Sequence, residues 1–146
     1  MLPDVDAIGF AFGVPYDSML GHRGLTHSIA FALLVGFVVG MFAFGKPPAG
    51  FGRLQLTLYF TLITLSHPLL DAFTNGGLGV ALFAPFSAQR YFFPWRPIEV
   101  SPIGMRFFSV RGLEVLGSEI VWVWLPALLI YLATKMYRRL TPANNT

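Results

Sequence analysis

Three long, almost uncharged apolar runs constrain this chain more than any other feature. Residues 29–45 carry no charge, and the run extends back to His27. Residues 54–70 contain only Gln55, Thr57, Thr61 and Thr64 as polar residues before Ser66. A third run covers 120–134 and is closed by Lys135, Arg138 and Arg139. A membrane-spanning helix needs about 20 mostly apolar residues, and helices apolar nearly all round cannot be covered by a small soluble chain. With 146 residues, 55% hydrophobic and only 12% charged, against roughly 25% charged in soluble domains, the sequence predicts an all-α integral membrane protein. We expect a single membrane domain over 1–146, with three transmembrane helices at about 27–45, 54–71 and 116–137 and multi-pass insertion. Trp122 and Trp124 near the start of the third helix, and Tyr131 and Tyr137 near its end, fit interfacial aromatics. None of the three runs has the form of a cleavable signal peptide.

The connections add detail. Lys46-Pro47-Pro48-Ala49-Gly50-Phe51-Gly52-Arg53 is a tight Pro/Gly turn that makes helices one and two a hairpin. Residues 75–112 form a long loop rich in Gly, Pro, Phe and Arg, expected at the membrane interface. Its Tyr91–Val100 section is compatible with short strands. The basic residues are scattered, so no direct nucleic-acid binding is expected, and membrane lipids are the expected partners. The absence of cysteine excludes disulfides and thiolate metal sites.

The ionisable residues are not scattered. Asp4 and Asp6 precede helix one, His22 and His27 sit at its mouth, and His67 and Asp71 end helix two. In a hairpin the start of the first helix lies beside the end of the second, so all three histidines converge with three acids at one membrane face. Ionisable residues at membrane depth are costly and mark functional sites. In an extended Pro3-Asp4-Val5-Asp6 segment both carboxylates point one way. His67 and Asp71 are i and i+4 and share a helix face. In His22-Arg23-Gly24-Leu25-Thr26-His27-Ser28 the glycine permits a sharp loop, and Thr26 or Ser28 caps the helix. Histidine and carboxylate without sulfur suit a divalent metal, zinc first, with manganese and iron compatible. Calcium and magnesium prefer oxygen shells.

Pro-Asp-x-Asp, then His-Arg-Gly-x-Thr-His-Ser, then His67-x-x-x-Asp71 with Thr74 and Gly76, then Pro85-Phe86-Ser87-Ala88-Gln89-Arg90, taken in this order over about residues 2–110, resembles a bacterial family. It is the family of membrane-bound, metal-dependent hydrolases, also described as LexA-binding inner-membrane hydrolases and distantly similar to zinc-dependent phospholipase C and P1 nuclease. The resemblance implies a bacterial inner-membrane location. It also implies a metal held by one of Asp4 or Asp6, one of His22 or His27, and His67 with Asp71, the last as a bridging carboxylate. Further His and Glu ligands of the soluble enzymes have no counterpart here, which implies one or two metals. Family members usually carry a helix ahead of Pro-Asp-x-Asp, often with a Thr-His, and this sequence starts at Met1-Leu2-Pro3.

The implied activity is hydrolysis of a phosphoester, phospholipid-like because the site opens at a membrane face. Zinc lowers the pKa of its water to about 7. Whichever of Asp4 and Asp6 is off the metal takes the water's proton, and Arg23 and Arg90 clamp the phosphate. The alternative is a non-catalytic metal-binding membrane adaptor or a LexA-interacting regulatory protein, with LexA as a partner implied by the resemblance alone. A transporter is disfavoured, because helices one and three lack polar residues at mid-membrane.

Overall fold

The computed structural model describes residues 2–102 and 104–141. All regular elements among them are helical. The chain clusters into two compact units, 1–96 and 97–146, where the sequence was read as one membrane domain.

The first unit opens with a 3-10 helix, Pro3–Phe12, followed by a short 3-10 turn, Leu25–His27. Helix α1, Ile29–Phe42, and helix α2, Arg53–Ala72, form the expected hairpin. Ser28 starts α1. Its backbone is extended and its hydroxyl accepts from the Phe31 N–H at 3.0 Å, which satisfies an orphan donor of the first turn. This cap is why α1 starts at Ile29 while His27 stays outside it. At the other end Arg53 reaches back from α2. Its guanidinium donates to the carbonyls of Met41, Phe44 and Gly45, a cation placed where the helix dipole is negative. Gln55 accepts from the Gly52 N–H at 2.7 Å and fixes the first turn of α2.

The two helices approach closely because α1 presents Ala32, Gly36 and Gly40 on one buried ridge. A Cβ on Gly36 would lie 2.7 Å from both the carbonyl oxygen of Thr57 and the backbone nitrogen of Thr61. At 14 residues α1 is about 21 Å long, short of a hydrocarbon core of about 30 Å.

The loop after α2 folds back on its own unit. Val80 and Tyr91 form one antiparallel bridge with both backbone bonds at 2.9 Å. It is an isolated bridge; no strand occurs among the described residues, so the short strands expected near 91–100 reduce to this pair. Phe73 and Phe93 stack with ring centroids 4.1 Å apart, and the Phe93 N–H bonds the Ala72 carbonyl. Val80, Ala81 and Ala84 are buried. This part of the expected interfacial loop therefore packs as core. The Ala81 N–H bonds the Arg23 carbonyl and the Ile29 N–H bonds the Leu82 carbonyl, which ties the loop to the mouth of α1.

The second unit is one long helical run. Helix α3, Val110–Glu119, passes through a π-helical turn, Ile120–Trp124, into helix α4, Leu125–Leu140. The start lies six residues before the expected 116. Ser109, with an extended backbone, precedes it, and Arg111 pairs with Glu114 at 2.8 Å and Glu99 at 2.5 Å. The π turn has a local cause. Pro126 lacks an N–H and its ring crowds the carbonyl four residues back, and a wider turn relieves both. The earlier start also puts Trp122 and Trp124 near the midpoint of the run instead of near its start. Val110–Leu140, 31 residues, is the one described helix long and apolar enough to cross a membrane by length and composition.

Candidate metal centre

The Asp4 and Asp6 carboxylates come from the first 3-10 helix, not from an extended strand. At three residues per turn, positions i and i+2 are splayed to two sides. That splay lets them grip opposite edges of one imidazole. Asp6 Oδ2 lies 3.0 Å from His27 Nδ1, and Asp4 Oδ1 lies 3.5 Å from His27 Nε2. His27 is fully buried. It arrives from the Leu25–His27 turn, just ahead of the α1 cap.

The far end of α2 completes the cluster. His67 Nε2 is 3.1 Å from Asp4 Oδ1 and 3.6 Å from Asp71 Oδ2, and Asp71 Oδ2 is 3.2 Å from His27 Nε2. Asp4, His27, His67 and Asp71 each offer one ligand atom, all within 4.8 Å of one another. Four edges of that set, at 3.1–3.6 Å, match the roughly 3.3 Å edge of a tetrahedron with zinc bonds of about 2.0 Å. His27 Nε2 and Asp71 Oδ2 are buried without a hydrogen bond, and orphaned buried polar atoms of this kind call for an ion. The donor set therefore fits a divalent cation.

Asp6 and His22 fall into a second group that shares His27. Asp6, with its side chain 3% exposed, accepts from three donors, His22 Nδ1 at 2.7 Å, the Arg23 N–H at 3.1 Å and the Thr26 hydroxyl at 2.5 Å, and lies 3.0 Å from His27 Nδ1. A carboxylate on Nδ1 fixes the tautomer that turns the Nε2 lone pair towards the four-atom cluster. His22 stands edge-on to Tyr16 and to His27, with centroids 5.5 and 5.4 Å away.

Electrostatics follow from this packing. Burial opposes ionisation of Asp4, but the His27 and His67 rings beside it outweigh that and hold its carboxyl well below the usual range. Burial likewise opposes ionisation of Asp6, and His22, His27 and Thr26 pull it down. Burial works against charge on His27, yet Asp4, Asp6 and Asp71 push its pKa up to about 10.

The two arginines take different places. Arg23 is buried at a left-handed φ of 62°. The strain of a non-glycine residue there is offset by its N–H bond to Asp6. Its side chain donates to Asp71 Oδ1 at 3.3 Å and to the Gly76 carbonyl at 3.0 Å. It therefore holds one oxygen of Asp71 and leaves the other for the cluster. Gly24 follows because the Met19 and Gly21 carbonyls occupy the space of a Cβ. Arg90 commits both Nη groups to four carbonyls, those of His22, Gly79, Tyr16 and Ser18, at 2.9–3.3 Å. That makes it a staple between loops, where the sequence suggested a phosphate clamp. Sequence reasoning took Thr26 as a capping candidate and overlooked Tyr16 and the Gly76 carbonyl. Ser28 takes the cap, and the only hint to Thr26 was its place beside His27.

Residues 1–141 match the YdjM inner membrane protein family. The chain is also 42% identical over 131 residues to "Inner membrane protein YbcI" of Escherichia coli (strain K12), covering 89% of this chain and 75% of that relative. No solved structure matches. The family match runs through every candidate site residue, and on it this chain belongs to the YdjM inner membrane protein family.

Proposed function

We propose that this chain is a metal-dependent hydrolase of the bacterial inner membrane, acting on a phosphoester carried by a lipid-like substrate. The observation that carries the reading is the approach of His27 Nε2 and Asp71 Oδ2, both buried and unbonded, inside the set completed by Asp4 and His67. Asp4, His27, His67 and Asp71 would hold the cation, with zinc best suited to two imidazoles and two carboxylates. Such a cation supplies Lewis acidity and a water that ionises near neutral pH. The protein's own groups do the rest. Asp6 orients His27 through Nδ1, and Arg23 orients Asp71 through Oδ1. Asp4, at 35% side-chain exposure against 16% for Asp71 and 11% for His67, forms the side through which water and substrate enter. With Asp4 swung off, the cation would keep three protein ligands and an open position for water, and the freed carboxylate would be placed to accept that water's proton.

The test is hydrolysis by zinc- or manganese-loaded, detergent-purified protein, offered phospholipid vesicles and a soluble phosphodiester, wild type beside Asp71→Ala. Cleavage of either by wild type and loss in the variant supports the reading. Metal-loaded wild type that leaves both intact overturns it and favours a non-catalytic metal-binding role.

A further inference from the structure

The first 3-10 helix has two chemically opposite sides. Its three-residue period eclipses every third side chain. Leu2, Val5, Ile8 and Ala11 therefore form one row, and all four are exposed, Val5 at 48% and Ile8 at 59%. From Pro3 to Phe10 the other two rows are buried or half-buried. Pro3 is buried, while Asp4 and Asp6 are held by His67, His22 and His27. Phe12, at the end of the helix, is exposed as well. Residues 7–16 contain no charge.

We propose that this row is a membrane-contacting face, inserted among lipid acyl chains just below the headgroups, and that it fixes the depth of the Asp4/Asp6 carboxylates. The occupant is the bilayer for three reasons. The chain belongs to an inner-membrane family. Helices α1 and α2 of the same unit expose Leu33, Leu34, Phe37, Leu58 and Leu62, apolar surface that belongs in the same medium. The Asp4–His67 and Asp6–His22 contacts also pin the segment to the end of that hairpin. An apolar row backed by a polar side is the pattern of interfacial helices. At about 2 Å rise per residue the row runs for about 18 Å, long enough to lie along the surface. With the row inserted, the side marked by Asp4 opens at headgroup level. The inference concerns placement and stands whether or not the site hydrolyses anything.

The chain has no cysteine, so single-cysteine variants from Leu2→Cys to Phe12→Cys, leaving out Asp4 and Asp6, take one spin label each in lipid nanodiscs. Collision with oxygen, which partitions into lipid, is compared with collision with chromium oxalate, which stays in water. The expected oxygen excess recurs about every third residue, with maxima at positions 2, 5, 8 and 11. Chromium oxalate dominating at those positions would overturn the proposal, because the row would then face water. Labels shielded from both reagents and dipolar-coupled between copies would also overturn it, since the occupant would be a second chain. An excess alternating every second residue would mean an extended segment and end the argument. Variants that fail to fold are recognised by loss of a cooperative thermal transition in detergent and set aside, and the period is read from the rest.

Discussion

His27 Nε2 and Asp71 Oδ2 lie 3.2 Å apart, both buried, with no hydrogen bond between them. One residue precedes the cap of α1 and the other ends α2, so only the closed hairpin brings them together. Two such atoms are tolerated if something shares their lone pairs. The expected result is about one equivalent of zinc in detergent-purified protein, lost in both His67→Ala and Asp71→Ala. Mass spectrometry of the metal content decides this. Full metal retention in either variant removes that residue from the set.

Asp6 acts one step further out. It touches His27 at Nδ1, not at the nitrogen that faces Asp4 and Asp71. Removing a carboxylate behind a ligating histidine costs about 10–100-fold in metal affinity. Asp6→Ala should therefore weaken zinc binding by about that factor and not abolish it, as a chelator competition would measure. Asp6→Ala protein that cannot be loaded with zinc, yet keeps its thermal midpoint, would make Asp6 a ligand itself.

The convergence of these residues was legible in the sequence for a simple reason. Two apolar runs joined by an eight-residue Pro/Gly turn must lie antiparallel, so His27 meets His67 and Asp71. The i,i+4 spacing put His67 and Asp71 on one face. The backbone of Pro3–Asp6 was not legible, because a carboxylate pair two apart suits an extended segment as well as a 3-10 turn. Nor was Arg90, whose four partners are main-chain carbonyls, three of them far away in sequence, and leave no mark in side-chain pattern. Helix ends depended on single residues. Ser28 set the start of α1, and Pro126 set a π turn inside a run that hydropathy reads as uniform.

Arg90 carries a stability prediction. Arg90→Ala leaves the carbonyls of Tyr16, Ser18, His22 and Gly79 without this donor. Charged hydrogen bonds of this kind make a loss of about 3 kcal/mol reasonable. Thermal unfolding in detergent should show a lower midpoint, while the folded fraction still binds zinc. An unchanged midpoint would mean that water replaces the arginine without cost.

The pH dependence of metal binding turns on His27. Its pKa of about 10 lies above the ordinary value of 6.5. The proton therefore stabilises the metal-free fold fully below about pH 6.5, and that contribution fades as pH climbs through about 10. A cation needs the neutral ring and must displace the proton. Apparent zinc affinity should rise about tenfold per pH unit from this group alone between about pH 7 and 9. Calorimetry in buffers of different ionisation heat at about pH 8, where an ordinary histidine is already neutral, should show about one proton per zinc released from His27, beside the proton given up by zinc-bound water. No release at that pH would sink the idea.

Hairpin packing should control the metal centre from a distance. Gly36 sits where a Cβ would meet the Thr57 carbonyl oxygen and the Thr61 nitrogen at 2.7 Å, both backbone atoms that cannot swing away. Gly36→Ala must push α1 from α2, at a cost of about 1–3 kcal/mol. Because His27 precedes α1 while His67 and Asp71 ride on α2, the separation also pulls the ligand atoms apart. Gly117, inside α3, has nothing within 4 Å of its would-be Cβ, so Gly117→Ala should be neutral or stabilise the helix by up to about 1 kcal/mol. The expected outcome is weaker zinc binding and a lower midpoint in Gly36→Ala, and neither in Gly117→Ala. Equal zinc affinity in the two variants would show that the centre does not depend on the α1–α2 spacing.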